Sequence, residues 1–220
     1  MSDEHERFGP ILATLRKCVA LLREAEIPFL VGGSLAAWAR GGPEVTNDLD
    51  LMVRRQDAER ALELLVDAGM RPERPPEEWL LKAWDGEVLV DLIFRTVEGE
   101  VTDEQIARGE QMTVTSVSMN VLRLEDMFAL RLQTLNEHHL DYAALLKMAR
   151  ALREQVDWDA VRARVRHTPY GNAFFTMLEG LGVVDPPDGD ADGGADVTVR
   201  PVDAGPRTQA AFGPAGDAPP

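Results

Sequence analysis

Apolar residues recur at three- and four-residue spacing in two stretches near the start of the chain, which predicts two amphipathic helices. In the first stretch the apolar positions are Ile11, Leu12, Leu15, Val19 and Leu22. The second stretch lies within residues 61–68. Pro28 and Gly69 follow them, as is typical of helix ends. Each helix is expected to bury its apolar face against the segments between them.

Between these helices, residues 29–31 form a short apolar segment that is predicted to be a strand. Gly32 and Gly33 follow it, and glycine allows close approach of the backbone to a ligand at a tight turn. Ser34 is predicted to be the N-cap of a helix from Leu35 to about Arg40. The backbone N–H groups at such a junction suit phosphate oxygens.

Residues 48–53 alternate between polar and apolar at their start, which is the period of a half-buried strand. Asp48 and Asp50 therefore share one face, about 7 Å apart at the backbone from a rise of ~3.3 Å per residue. Asp91 interrupts another apolar strand, 88–94, where an unpaired charge is costly to bury. Because Mg²⁺ prefers oxygen ligands, the three carboxylates are candidate metal ligands.

Each of these features also has an ordinary structural explanation. Two acids at this spacing fit the solvated face of an edge strand, and the Gly-Gly-Ser turn fits a simple chain reversal. The order and spacing of the turn, the acid pair and the third acid together favour a site for a phosphate and a metal ion.

The rest of the pattern predicts more strands, followed by a helical region. Strands are expected at 79–84, 88–94, 112–117 and 121–124, the first two joined by an Asp85-Gly86 turn. Helices are expected at 102–108, 124–135, 140–152, 158–165 and 173–181. Residues 185–220 are rich in Pro, Gly, Asp and Ala and are predicted to be a disordered tail.

The composition indicates a full core and limits the kinds of partner that the protein is expected to bind. Of 220 residues 45% are hydrophobic, which is enough for a full core, and the four tryptophans, Trp38, Trp79, Trp84 and Trp158, are expected there. The net charge of -15 disfavours tight attraction to nucleic acid or to an anionic membrane. The lone Cys18 cannot form an internal disulfide, and there is no apolar run of 18 residues. A cytoplasmic protein is therefore expected.

Three motifs carry a resemblance to a known family. They are Val31-Gly32-Gly33-Ser34, Thr46-Asn47-Asp48-Leu49-Asp50-Leu51 and Val90-Asp91-Leu92. In this order they resemble the polymerase-β-like nucleotidyltransferase superfamily over residues 27–95. The resemblance implies an α+β fold, with a mixed, twisted β-sheet flanked by helices and a C-terminal helical region. It implies a nucleotidyltransferase core at 1–122, helices at 123–184 and the tail at 185–220.

The resemblance also implies roles for the motif residues. The turn of Gly32, Gly33 and Ser34 would contact the triphosphate of a nucleotide. Asp48 and Asp50 would bind two Mg²⁺ ions, with Mn²⁺ as an alternative. Asp91 would complete the metal site and activate the acceptor.

The helical region resembles the nucleotidyltransferase-like toxins of abortive-infection and toxin–antitoxin pairs. In those proteins a basic residue and a downstream Asp face the active site, and the matching positions are Arg131 and Asp141. Glu44 departs from the family, which often has a basic residue two positions before Thr46. The candidate replacements for that positive charge are Arg40, Arg54, Arg55 and Lys82.

The predicted activity is transfer of a nucleoside monophosphate from a nucleoside triphosphate to a hydroxyl group, with release of pyrophosphate. The acceptor could be RNA, protein or a small molecule, and the acidic composition argues against long nucleic acids. A cognate regulator protein is a further expected partner on the toxin hypothesis. Two alternatives are a metal-dependent glycosyltransferase and a non-catalytic module that binds a nucleotide or a partner.

Overall fold

A computed structural model describes residues 2–43, 48–114 and 116–186, with side chains from residue 9 onward. Glu44, Thr46 and Asn47 lie outside the described residues, as does the predicted tail from residue 187 on. The elements below belong to the unit Met1–Asp185. Among the described residues, no helix is long and apolar enough to cross a membrane.

Seven strands form one mixed sheet, and two short strands form a separate hairpin. In chain order the strands are β1 (Phe29–Val31), β2 (Asp48–Val53), β3 (Arg71–Glu73), β4 (Leu80–Asp85), β5 (Val88–Ile93), β6 (Arg95–Thr96), β7 (Gly99–Glu100), β8 (Glu110–Val114) and β9 (Val117–Val121). The order in the large sheet is β3-β4-β5-β2-β1-β9-β8, while β6 and β7 pair with each other. The β2–β5 and β1–β9 pairs are parallel and the others are antiparallel. The predicted α+β fold with a mixed sheet is confirmed.

Eight helices accompany the strands within the described residues. They are α1 (Ser2–Glu24), α2 (Gly33–Trp38), α3 (Arg55–Asp67), α4 (Asp103–Ala107), α5 (Leu124–Thr134), α6 (Tyr142–Leu152), α7 (Trp158–Val165) and α8 (Pro169–Gly180). Several begin at a side chain that accepts a backbone N–H bond. Thr102 forms a capping box with Gln105, and Asp141, Asp157 and Thr168 cap α6, α7 and α8.

The two faces of β5 differ, and this difference positions the candidate site. Val88, Val90 and Leu92 are buried, and α1 and α3 contact this part of the sheet. Leu89, Asp91 and Ile93 alternate with them and are only partly buried. Because successive side chains on a strand point to opposite faces, the acid lies on the face away from the main core.

The C-terminal helices pack beside the sheet and share its hydrophobic core. α5 contacts α2, α7 and α8. Phe128 of α5 lies 5.0 Å, centroid to centroid, from Trp158 of α7, which is also 6.3 Å from Phe175 of α8. Aromatic pairs in such tilted arrangements contribute about 0.5–1.5 kcal/mol beyond area burial. This packing holds α5 in place on the side of the sheet that carries the acids.

The structure corrects several predicted details. Gly32, not Ser34, is the N-cap of α2, so the helix begins two residues earlier than expected. The last strand spans Val117–Val121 instead of 121–124, and α8 begins at Pro169 instead of 173. Trp79, expected in the core, is 40% exposed.

Candidate active site

The turn after β1 brings Gly33 against Asp50. The N–H of Gly32 donates to the carbonyl oxygen of Asp50 at 2.8 Å, which joins the turn to β2. Gly33 has φ +57°, and a Cβ there would overlap Asp50 Oδ2 and lie 2.7 Å from Asp50 Cγ. The left-handed backbone favours glycine at this position, and a larger residue would also displace the neighbouring carboxylate.

Strand register places the second acid beside the first. Asp50 of β2 is the parallel partner of Asp91 of β5, and Lys82 of β4 is the antiparallel partner of Asp91. Adjacent strands are about 4.8 Å apart, so these three side chains rise in a row from one face of the sheet. Asp48 lies two residues before Asp50 and shares that face.

Lys82 forms a close ion pair with Asp91. Its Nζ donates to Asp91 Oδ1 at 2.7 Å, and the two side chains are only 20% and 14% exposed. Burial raises the pKa of the Asp91 carboxyl above its ordinary value, while the hydrogen bond and charge of Lys82 oppose that rise. The hydrogen bond from Lys82 thus goes to Oδ1 and not to Oδ2 of Asp91.

Asp50 occupies an electrostatically unfavourable position. Its pKa is raised to about 7, first by burial and then by the negative charges of Asp48 and Asp91. The positive charges of Arg131 and Lys82 act in the opposite direction. A carboxylate in this environment is stabilised by a positive ligand, because a cation removes both the repulsion and the unfavourable burial.

The chemistry of these donors fits a hard divalent cation. Asp48 and Asp50 supply carboxylate oxygens from one face of β2, and oxygen donors are what Mg²⁺ and Mn²⁺ prefer. Within residues 2–43, 48–114 and 116–186, however, no three His, Cys, Asp or Glu side chains are close enough together to hold a metal ion. Asp91 is instead engaged by Lys82.

A cavity of about 660 Å³ opens beside Asp50. Its walls come from the turn after β1, from β2 and β5, from the segment that follows β5, and from α5. It brings together four of the predicted residues, Gly32, Gly33, Asp50 and Arg131. Asp48, Asp91, Ser34 and Asp141 are not among the residues that line it.

Arg131 and Asp141, the two predicted helical residues, have different surroundings. Arg131 of α5 lines the cavity, and its charge lowers the pKa of Asp50. Asp141 is exposed and accepts a hydrogen bond from the N–H of Ala144 at 3.2 Å as the N-cap of α6. Its contact with a nucleotide stays a prediction.

Of the four candidate cations, Lys82 is the one beside the acids. Arg40 bonds Glu110 at 2.7 Å, and Arg54 bonds Asp57 and Asp103. Arg55 lies over the ring of Phe94 at 5.0 Å.

Arg95 also lines the cavity, and the sequence interpretation missed it. Period-two alternation could not have placed it, because β5 ends at Ile93 and Arg95 belongs to β6, which pairs with β7 in a separate hairpin. Trp79 lines the same cavity and was wrongly expected in the core.

Comparison with known proteins gives a family and a fold. The model of a family described as uncharacterised nucleotidyltransferases matches residues 10–179. The crystal structure of ANT(2'')-Ia in complex with adenylyl-2''-tobramycin is similar, with a TM-score of 0.53, 16% identity, and coverage of 76% of this chain and 97% of that one. The solution structure of the same antibiotic-resistance factor is similar with a TM-score of 0.51 and 15% identity. The match covers 76% of this chain and 92% of that one. No curated protein sequence matches the chain.

Proposed function

Because the chain belongs to this family of uncharacterised nucleotidyltransferases, we propose that it uses a divalent cation to transfer a nucleoside monophosphate to a hydroxyl group of a small molecule. The family confirms the superfamily resemblance and the class of enzyme. It favours nucleotidyl transfer over the glycosyltransferase and the non-catalytic alternatives. Membership of the toxin branch, a regulator protein and the identity of the nucleotide stay predictions.

The proposal rests on one observation. The Asp50 carboxylate packs directly against Gly33, and both residues line the cavity. The turn proposed to bind the triphosphate and a carboxylate proposed to bind the cation are in direct contact there. A nucleotide phosphate bound at this turn would share the cation with Asp50, since phosphate and carboxylate oxygens are joint ligands in such sites.

Asp48 and Asp50 would hold Mg²⁺, which when bound neutralises charge on the triphosphate. Arg131 would add a positive charge from the α5 side of the cavity, which would offset the negative charge of the triphosphate and of the departing pyrophosphate. Gly33 keeps the Asp50 carboxylate close to the turn, so the triphosphate and the acid are oriented together.

Asp91 would accept the proton of the acceptor hydroxyl. Lys82 engages Oδ1 of this carboxyl, so Oδ2 is the oxygen assigned to the proton. Burial raises the pKa of Asp91, which makes the carboxylate a stronger base than an ordinary Asp, and Lys82 keeps it ionised. Lys82 is a positioning residue in this scheme, because it acts through Asp91.

A small acceptor is favoured by the size of the cavity and by the net negative charge of the chain. A volume of about 660 Å³ is in the range of pockets that bind drug-sized ligands, about 300–1,000 Å³. The net charge of -15 opposes approach of a long polyanion.

Calorimetric titration with ATP, GTP, CTP and UTP in the presence of Mg²⁺ tests the nucleotide half of the proposal. At least one triphosphate should bind to the wild type, and Asp50→Asn should weaken that binding by about tenfold or more, since the shared cation is lost. Asp67→Asn, an exposed acid at the end of α3, is the matched control and should bind normally. Absence of binding by all four triphosphates would reject the proposal.

A further inference from the structure

The charge of the cavity is opposite to that of the chain as a whole. Most of its described lining is apolar, and Asp50 is the one carboxylate among those lining residues. Arg95 and Arg131 supply two positive charges. In the proposed function Asp50 faces the cation site and Arg131 faces the triphosphate, so Arg95 is the charge left to the remainder of the cavity, where it repels positively charged ligands.

The apolar end of the cavity continues directly from Asp91. Ile93, Arg95, Thr96 and Val97 follow Asp91 along the chain, and all four line the cavity. The N–H groups of Phe94 and Arg95 both donate to the carbonyl oxygen of Trp79, at 3.1 and 3.3 Å. Trp79 and the residues after β5 therefore form one wall, which begins beside the acid that is assigned to the acceptor.

This wall presents a large apolar surface to a ligand. Trp79 is 40% exposed and Val97 is 53% exposed, although both belong to residue types that normally lose their exposure on folding. A partly exposed indole ring that lines a cavity suits stacking against another ring. The opposite wall is formed by the last turns of α5, with Leu130, Thr134 and Leu135.

The wall is also held in place by charge. Glu98, between β6 and β7, accepts two hydrogen bonds from Nη2 of Arg164, both at 2.7 Å, and one from Nε2 of Gln133 at 2.8 Å. Arg164 belongs to α7 and Gln133 to α5. The hairpin that carries Arg95 and Val97 is therefore attached to the helices on the other side of the cavity, which keeps the shape of this end defined before a ligand binds.

Resting on the proposed function, we propose that the acceptor is a hydroxyl compound with an apolar ring system and no positive charge, bound between Trp79 and α5. Arg95 favours an anionic substituent on that compound and excludes polycations. The acceptor therefore differs in chemical class from tobramycin, the polyamine named in the ANT(2'')-Ia complex.

Anilinonaphthalene sulfonate is a direct probe of the Trp79 end of the cavity. It is an aromatic anion that fluoresces on transfer from water to an apolar site. The wild-type protein should bind it, and tobramycin should not displace it. Trp79→Ala and Arg95→Glu should each weaken binding by about tenfold, the effect of losing one stacking or charge contact. Trp79→Phe should restore most of the affinity lost in Trp79→Ala. Leu181→Ala, a 50% exposed apolar residue outside the cavity, should bind like the wild type.

Nucleotide titration of the same variants separates this inference from the function on which it rests. Trp79→Ala should bind the preferred triphosphate with Mg²⁺ as the wild type does. If Trp79→Ala loses affinity for the nucleotide and for the probe equally, the Trp79 end of the cavity binds the nucleotide and the inference is overturned. Displacement of the probe by tobramycin, or unchanged probe binding in Arg95→Glu, would also overturn it. A wild type that binds the probe as described but no triphosphate would contradict the proposed function alone.

Discussion

The side chain of Asp50 occupies the space that a Cβ on Gly33 would need, with Cγ only 2.7 Å from that position. The same glycine has φ +57°, a conformation that costs another residue about 1–2 kcal/mol. The turn after β1 and the acid of β2 are therefore fitted to each other. The main consequence of changing the glycine should be displacement of the carboxylate, because the overlapping atoms belong to the end of a side chain.

Gly33→Ala should destabilise the protein by about 1–2 kcal/mol and abolish most nucleotidyl transfer, because Asp50 must rotate away. Gly86→Ala is the matched control. Gly86 has φ +64° in the β4–β5 turn, and a Cβ there would meet nothing within 4 Å. Gly86→Ala should lose a similar free energy of unfolding, measured by urea denaturation, and should keep normal activity. Equal activity in the two variants would show that the contact with Asp50 has no catalytic role.

Lys82→Gln should move the acidic limb of the pH–rate profile to higher pH. The charge and hydrogen bond of Lys82 lower the pKa of Asp91, and its charge also lowers the pKa of Asp50. Both carboxyls would then hold their protons to higher pH and be inactive over a wider range. The measurement is kcat as a function of pH with saturating nucleotide. An unmoved acidic limb would mean that Lys82 does not act through Asp91.

The free energy of unfolding should fall between about pH 4 and pH 7 because of Asp50. Its pKa is about 7 in the folded state against an ordinary value of 3.8, so the folded state binds a proton that the unfolded state has released over this range. Stability contributed by protonated Asp50 is present below pH 4 and is lost as the pH rises through 7. A difference of roughly three pKa units corresponds to a limit of about 4 kcal/mol.

Asp50→Asn removes this titration. Without Mg²⁺, the variant should therefore gain stability relative to the wild type as the pH rises from 5 to 8, and added Mg²⁺ should reduce the gain. Urea denaturation at the two pH values in the presence of a chelator measures the effect. A difference between variant and wild type that is the same at pH 5 and pH 8 would exclude a raised pKa for Asp50.

Glu98→Ala should loosen the cavity wall that carries Arg95. Loss of the bonds to Arg164 and Gln133 should raise the amide exchange rates of residues 95–100 and weaken binding of anilinonaphthalene sulfonate, while nucleotide binding stays normal. Glu59→Ala removes a comparable but exposed pair with Arg74 and is the control. Unchanged exchange at the hairpin would show that Glu98 does not hold it.

Strong periodicity explains why much of the fold was predictable. The α7 helix and the β2 strand have the bounds expected from sequence, because apolar residues recur there without interruption. β3, β6 and β7 were not predicted, since two or three mostly polar residues carry no period.

The candidate site was predictable where motif residues are close along the chain. The hairpin turn between Asp85 and Val88 fixes the register in which Lys82 opposes Asp91, so this pair could have been derived from the predicted hairpin. The exposure of Trp79 could not be predicted from the sequence, because it depends on the space left between α5 and the segment after β5. An apolar residue in such a cavity has the same local pattern as one in a core.

Pyrophosphate release with the preferred triphosphate, Mg²⁺ and a cell extract as the source of acceptor tests the central claim most directly. We predict turnover for the wild type and for Asp67→Asn, and loss of at least about a hundredfold for Asp48→Ala and Asp50→Ala, with circular dichroism showing that all remain folded. Near-normal turnover in either Asp48→Ala or Asp50→Ala would contradict the assignment of the active site to the acids beside Gly33.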